Sequence, residues 1–466
     1  MKTKPNDSPI KRWAVLILVA IVMMMGYVFW DIVSPISTQL KASISEGGMG
    51  WTAAEYGFYA GSYSIFNIFL LMLFFGGIIL DRCGIRLTGL LATGIMLLGA
   101  LINYYALTKI SPETYTNLSF TLFGLIPEHI KVQVLVSALG FGLFGMGCDI
   151  TGITISKIVT KWFTGHELAS AMGIQVALAR LGTTSALSFS PLIAQSFGIS
   201  APVLGGALLL LCGFSLFGIY AFVDKKFDNS LYEYAEGNEK KDITRSESFS
   251  FRDFVIVLKN PGFWLIAILC VFFYSSIRPF MKFATDLLIN KFGVAATSAG
   301  WIVAAIPYST IILTPLFGSI YDKIGHGAKL MLTGCIIITV SHFCLALPVI
   351  TTSWFAFGVM ILVGIAFSMV PGIMWPSLPK LVPLRQLGTA YSIIYYIQNL
   401  GLMLVPMWVG NIINENTDPV TGYVDYLMPM LVFAGLGVAA CVVAALLLFM
   451  DKKKHYGLQK ANISVK

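Results

Sequence analysis

Charge is scarce in this chain: only 12% of its 466 residues are Asp, Glu, Lys or Arg, against about a quarter in soluble domains. Most of the surface must therefore face something other than water. Cysteine is scarce as well. Cys83, Cys148, Cys212, Cys270, Cys335, Cys344 and Cys441 are scattered, with no metal spacing and no disulfide framework. No glycine-rich phosphate cradle occurs, which argues against a pump driven directly by ATP. The apolar segments contain no nucleophile–base set and no cluster of metal ligands, so the chain reads as neither an enzyme nor a cofactor protein. No small-residue cleavage site follows the basic start MKTKPNDSPIKRW, so the first apolar run reads as a retained span. The formal charge of +8 would fit a nucleic-acid partner if it formed one patch. Its cations gather instead in alternate loops, as membrane topology demands.

What the chain has in abundance is apolar sequence, 57% of all residues. Stretches of the roughly 20 residues needed to cross a bilayer recur from end to end. The expected spans are 13–37, 53–79, 87–107, 132–156, 167–194 and 201–223 in the first half. In the second they are 262–287, 294–320, 328–348, 353–375, 387–413 and 427–450. This is an all-α membrane protein of twelve helices. Residues 1–223 form one six-helix bundle and 259–466 a second with a short tail. The polar stretch 224–258 reads as a solvated linker, and its end, SFRDFVIVLKN, as a short amphipathic helix on the membrane surface.

Lys2, Lys4, Lys11, Arg12, Arg82, Arg86, Lys157, Lys161, Lys225, Lys226, Lys240, Lys241, Lys323, Lys329, Lys380, Arg385 and Lys452–Lys454 fall on the side of the N-terminus. The opposite loops hold only Lys41, Lys109, Lys131 and Lys291. The positive-inside rule places both termini and the linker in the cytoplasm, and the short tails suit a bacterial inner membrane.

The halves echo each other. Gly77-Ile-Ile-Leu-Asp81-Arg82-Cys-Gly84 matches Gly318-Ser-Ile-Tyr-Asp322-Lys323-Ile-Gly325, 241 positions later. Glu167-Leu-Ala-Ser-Ala-Met-Gly-Ile is echoed by Gln386-Leu-Gly-Thr-Ala-Tyr-Ser-Ile at an offset of 219, which also carries Arg180-Leu-Gly182 onto Asn399-Leu-Gly401. The smaller offset locates extra first-half residues between its third and fifth spans, in the loop 108–131. A duplicated unit of this kind builds carriers with a central site between two halves.

The run Gly77, Asp81, Arg82, Gly84, Arg86, with its weaker copy at Gly318, Asp322, Lys323 and Gly325, resembles the signature of the major facilitator superfamily. The resemblance implies two six-helix bundles rocking about a midplane site. The aspartates would stabilise one conformation rather than touch the solute. A narrower resemblance lies around the fifth span. Lys161-Trp-Phe-Thr-Gly165-His-Glu167-Leu-Ala, then Gly173 and Ala179-Arg180-Leu-Gly182, is similar to the lysosomal dipeptide carrier branch of the MFS-domain-containing proteins and its bacterial relatives. That branch holds the amino end of a dipeptide with an acidic residue on span four and the carboxylate with this arginine.

The intramembrane charges point the same way on physical grounds. An ionised side chain at mid-bilayer costs roughly 2.5–3.5 kcal/mol even on lenient scales, so it faces a cavity or a partner. At about 1.5 Å per residue, Arg180 and Asp149 lie at similar depth on adjacent antiparallel spans. A guanidinium suits a carboxylate and Asp an ammonium, so together they match a zwitterion. The competing reading is a salt bridge between them that locks spans four and five. Arg278 in span seven is a second candidate contact or gate, with Lys282 and Asp286 beyond it and Asp31 of span one as its partner. Gln175, Gln398 and Asn399 either line the site or join helices. Tyr59, Tyr63, Tyr274, Tyr395 and Trp375 either line it or anchor the interface. His342 reads as a packing residue. The solute is expected to be a small zwitterion, dipeptides first, moved by uniport or linked to protons. The alternatives are a monocarboxylate carrier using Arg180 with Arg278, and a non-transporting receptor. Lipid is the expected environment, and nothing in the sequence specifies an accessory subunit.

Overall fold

The computed structural model describes residues 8–163, 167–236, 257–348, 350–383, 386–418 and 421–461, with the side chains of 73, 74, 81, 169 and 227–236 left out. Gly165, Arg385, most of the expected amphipathic segment and residues 237–256 of the expected linker lie outside that set. Among the described residues, eleven helices are long and apolar enough to cross a membrane. The remaining expected span, 53–79, is broken.

Span one runs Pro9–Asp31 and continues through a 3-10 turn, Ser34–Ile36, into a short helix, Ser37–Lys41. Span two is assembled from Ala53–Ser62, Ile65–Phe69 and the start of Met72–Lys109, whose remainder is span three. Spans four to six are Val132–Phe163, Leu168–Phe197 and Ala201–Glu236. Spans seven to nine are Pro261–Phe292, Ala296–Ile324 and Gly327–Ala346. Spans ten to twelve are Ser353–Ser377, Leu387–Glu415 and Leu427–Lys454. Residues 224–236, expected in the linker, prolong the sixth span. Both ends of the described chain lie on one face, the terminal face; the other is the distal face.

Local sequence explains several boundaries. Thr52 accepts from the backbone N–H of Glu55 at 3.1 Å while Glu55 accepts from that of Thr52 at 2.9 Å, a capping box that starts span two. Asn260 caps span seven through Gly262 N–H at 2.9 Å, with Pro261 at the first helical position. The break in span two has a packing cause. A Cβ added at Gly145 of span four would sit 2.1 Å from the Tyr63 carbonyl. The kinked backbone of span two thus nests where span four has no side chain.

The duplication is visible in the packing. Spans three and four pair as nine and ten do, one and five as seven and eleven, and three and six as nine and twelve. Gly84 and Gly325, equivalent in the repeated motif, turn the chain at φ +76° and +75°, a region that penalises any side chain. The halves meet along two equivalent seams, span two with eleven and span five with eight. Both are backbone-close: a Cβ at Gly57 would lie 2.5 Å from Pro406 O, and one at Gly300 2.0 Å from Leu187 O. The extra first-half residues form a small distal hairpin in which Tyr115–Asn117 pairs with His129–Lys131. Its tip reaches across to the second half, where Asn411 Nδ2 donates to Leu125 O at 3.1 Å.

Candidate substrate site

The break in span two aims polar groups at mid-span. Tyr63 Oη donates to Asp149 Oδ1 at 2.8 Å and Asn67 Nδ2 to Asp149 Oδ2 at 2.6 Å. Between them in sequence, Ser64 Oγ donates to Asn399 Oδ1 at 2.6 Å, joining span two to span eleven across the halves. Tyr63 also stacks on Trp30 of span one, centroids 4.2 Å apart. Asp149 is half-buried, and its described partners are neutral donors only.

Arg180 is half-buried on span five and reaches over to the second half. Its guanidinium lies 4.7 Å from the centroid of Phe367 on span ten, and its Nη1 is buried with no hydrogen-bond partner. Among the described residues Asp149 and Arg180 form no ion pair, so the locking salt bridge is not what the geometry holds. Arg278 approaches the same Phe367 ring at 5.4 Å and Trp30 at 4.8 Å. Tyr274 presents its edge to Phe367 and accepts from Trp375 Nε1 at 3.2 Å, while Trp375 stacks on Tyr395 at 5.1 Å. Gln175 is buried with its Oε1 unsatisfied, and Gln398 lies 3.6 Å from Cys270 Sγ. Tyr59 is a packing residue, stacked on Phe141 and accepting from Asn103 at 2.8 Å. His342 packs between Phe280 and Phe433.

Distal of this level the halves are bolted together by charge. Lys282 Nζ meets Asp31 Oδ1 at 2.7 Å and Trp30 O at 2.7 Å. Arg278 stands 3.9 Å from Asp31 Oδ2. A second tier lies further out: Asp286 takes Lys41 Nζ at 2.5 Å and Thr38 Oγ1 at 2.7 Å, and Tyr426 Oη as well. Exposure falls from 41% at Tyr395 to 2% at Asp31 and 0% at Asp286. The structure is shut at its distal face.

On the terminal face the two motif copies act as tie points. Arg86 pairs with the fully buried Asp224 at 3.3 Å, which also takes Lys161 at 2.8 Å and Tyr220 Oη at 3.0 Å. In the second copy, His326 N–H and Gly327 N–H donate to Gln459 O and Leu458 O at 3.0 and 2.9 Å, seating the C-terminal tail on the Gly325 turn. Gly77 and Gly318 have open space or loose contact beside them, Arg82 and Lys323 are exposed, and Asp322 is half-buried. The Asp81 side chain lies outside the described residues.

Sequence reasoning passed over Phe367, Trp30, Asn67 and the Lys41–Asp286 pair. A single Phe or Trp in an apolar helix has no pattern to distinguish a site residue from a lipid-facing one. Lys41 reads as a loop cation until the chain after span one folds back as a helix.

Two pseudo-symmetric bundles of membrane-crossing helices, closed at one face around half-buried charges, define a secondary carrier of small solutes that works by alternating access. The chain belongs to the Major Facilitator Superfamily, which it matches over residues 15–406 and again over 283–462. It is 29% identical over 401 residues to the lysosomal dipeptide transporter MFSD1 of Danio rerio, covering 84% of this chain and 77% of that protein. Over 421 residues it is 27% identical to the Homo sapiens protein of the same name, covering 87% and 80%. Its fold is similar to that of a bacterial homologue of the human lysosomal transporter Spinster in an inward-facing and occupied conformation. That similarity has a TM-score of 0.67 at 15% identity and covers 97% of this chain and 99% of the other.

Proposed function

We propose that the protein carries small zwitterions, with dipeptides as the best match, binding the amino end at Asp149 and the carboxylate at Arg180. One observation carries the reading: neither of these two charges has an ionic partner among the described residues. Asp149 is held by neutral donors, and Arg180 keeps a buried Nη1 unsatisfied. A buried cation without an anion is costly, and a carboxylate would restore the balance through charge-assisted bonds. The similarity to dipeptide transporters over most of both chains supports the same substrate class. Gln175, Asn399 and Tyr274 complete the wall. Asp81, Arg82 and Asp322 tune closure of the terminal face, and Gly77, Gly84, Arg86, Gly318, Lys323 and Gly325 shape its two turns. The two six-helix units rock against each other, with residues 224–236, expected in the linker, belonging to the first. The bias of Lys and Arg toward the terminal face supports a cytoplasmic location for both termini. Transport is uniport or proton-linked.

A second reading keeps the carrier and changes the solute. Arg180 and Arg278 sharing the Phe367 ring favour a monocarboxylate, with Asp149 left structural. Thermal stabilisation of the purified protein by Ala-Ala, N-acetyl-Ala-Ala, Ala-Ala amide and lactate separates the two. The dipeptide reading expects stabilisation by Ala-Ala alone, lost in Asp149→Asn and in Arg180→Ala. Stabilisation by lactate and the acetylated peptide, unchanged in Asp149→Asn, overturns it.

A further inference from the structure

The interhalf contacts differ in quality. Lys282 and Asp31 are hydrogen-bonded at 2.7 Å, and so are Lys41 and Asp286 at 2.5 Å. Arg278 and Asp31 are not: their separation is 3.9 Å, and Asp31 Oδ2 is buried without a hydrogen-bond partner. Arg278 is 8% exposed, its guanidinium carbon lies 4.8 Å from the Trp30 centroid and 5.4 Å from that of Phe367, and its side chain makes no hydrogen bond among the described residues. Arg180, from the other half, lies on the same Phe367 ring with a donor of its own unfilled. Two guanidinium groups from opposite halves thus approach one ring with unused donors. A carboxylate has two oxygens and can accept from both forks at once.

We infer that Arg278 senses the solute, exchanging its loose contact with Asp31 for the carboxylate held at Arg180. The carboxylate end thereby loosens the distal tier and ties the halves together at mid-span. The inference rests on the reading that Arg180 takes a carboxylate, and it holds for a dipeptide or a monocarboxylate alike. On leaving Asp31, Arg278 gives up the attraction of a 3.9 Å ion contact but no hydrogen bond, and it gains a charge-assisted one at the carboxylate. Attraction between the halves moves from the distal face to the middle, as opening at the distal face requires. A solute with a blocked carboxylate offers Arg278 no new partner and leaves the lock in place.

The test uses spin labels at Ser45 and Tyr423, which are exposed on distal loops of opposite halves. The full chain, with the exposed Cys83 and Cys212 replaced by serine, is placed in lipid nanodiscs, and the label distance is read with Ala-Ala, Ala-Ala amide or lactate. In the parent chain the carboxylate-bearing probe that binds should lengthen the distance, and the amide should not. Arg278→Gln should weaken binding about tenfold and abolish the lengthening even at saturation, Arg278→Lys should restore it in part, and Asp31→Asn should raise the long-distance population without solute. Lengthening in Arg278→Gln equal to the parent at saturation overturns the inference. Binding of lactate but not Ala-Ala removes the dipeptide reading alone, and the distance test then stands on lactate. Binding of neither removes both.

Discussion

The outer tier of the distal lock offers a magnitude that can be worked from contacts. Asp286 is fully buried and accepts from Lys41 and Thr38 of the first half and from Tyr426 and Asn290 of the second. In Asp286→Ala the contacts to Tyr426 and Asn290 are lost in both conformations, since all three residues belong to one half, and their loss cancels. The contacts to Lys41 and Thr38 exist only when the distal face is shut. Removing one partner of a buried pair costs about 3–5 kcal/mol. Lys41 is 15% exposed and recovers part of its hydration, so about 2 kcal/mol falls on the closed state. At 1.4 kcal/mol per tenfold, that lowers the closed-to-open ratio roughly thirtyfold. Ser37, fully buried beside this tier, reports it. With Ser37→Cys in the background, labelling by a membrane-impermeant maleimide from the distal side should accelerate about thirtyfold, on the same arithmetic, when Asp286 is removed. Lys41→Ala should do nearly as much, and the double variant little more. An unchanged labelling rate in a variant that still melts cooperatively would refute the lock.

Other outcomes follow from the same contacts. Gly300→Ala places a Cβ 2.0 Å from Leu187 O across the seam between the halves; it should favour the distal-open state in the label-distance assay while leaving each bundle intact. Gly84→Ala and Gly325→Ala both force a side chain to positive φ, at about 1–3 kcal/mol. Gly325→Ala also drives a Cβ to 2.4 Å from Gln459 O, so its melting temperature should fall further, and deleting residues 456–466 should erase that extra loss. Phe367→Leu removes the ring under Arg180 and Arg278. At about 0.5–2 kcal/mol for such contacts, the binding titration should show solute affinity fall about twofold to about thirtyfold with thermal stability nearly kept.

Much of the architecture was legible in the chain because hydropathy and repetition are physical constraints on a membrane protein. The spans followed from apolar length, and the motif copies aligned Gly84 with Gly325, which turn the chain alike. Asp31 of span one was expected as a gate partner for span seven, and it stands beside both Arg278 and Lys282. The break in span two was not legible. Residues 53–79 read as one apolar run, and hydropathy does not register where backbone bonds are interrupted against Gly145. That break brings Tyr63 and Asn67 to Asp149, so half of the acidic subsite was hidden with it. Asp224 was misread for a related reason: a charge at the end of an apolar run looks like the start of a linker, until Arg86 and Lys161 are seen to converge on it.

In the proposed mechanism Asp149 and Arg180, which have no ionic partner among the described residues, gain one only when a solute arrives. Counterflow of labelled Ala-Ala in proteoliposomes measures this most directly, with parent, Asp149→Asn, Arg180→Ala and the double variant compared. The prediction is robust exchange in the parent, inhibition by unlabelled Ala-Ala but not by either capped form, and near-complete loss in each single variant. Exchange that persists in Arg180→Ala, or that capped peptides inhibit as well as the free dipeptide, would contradict it.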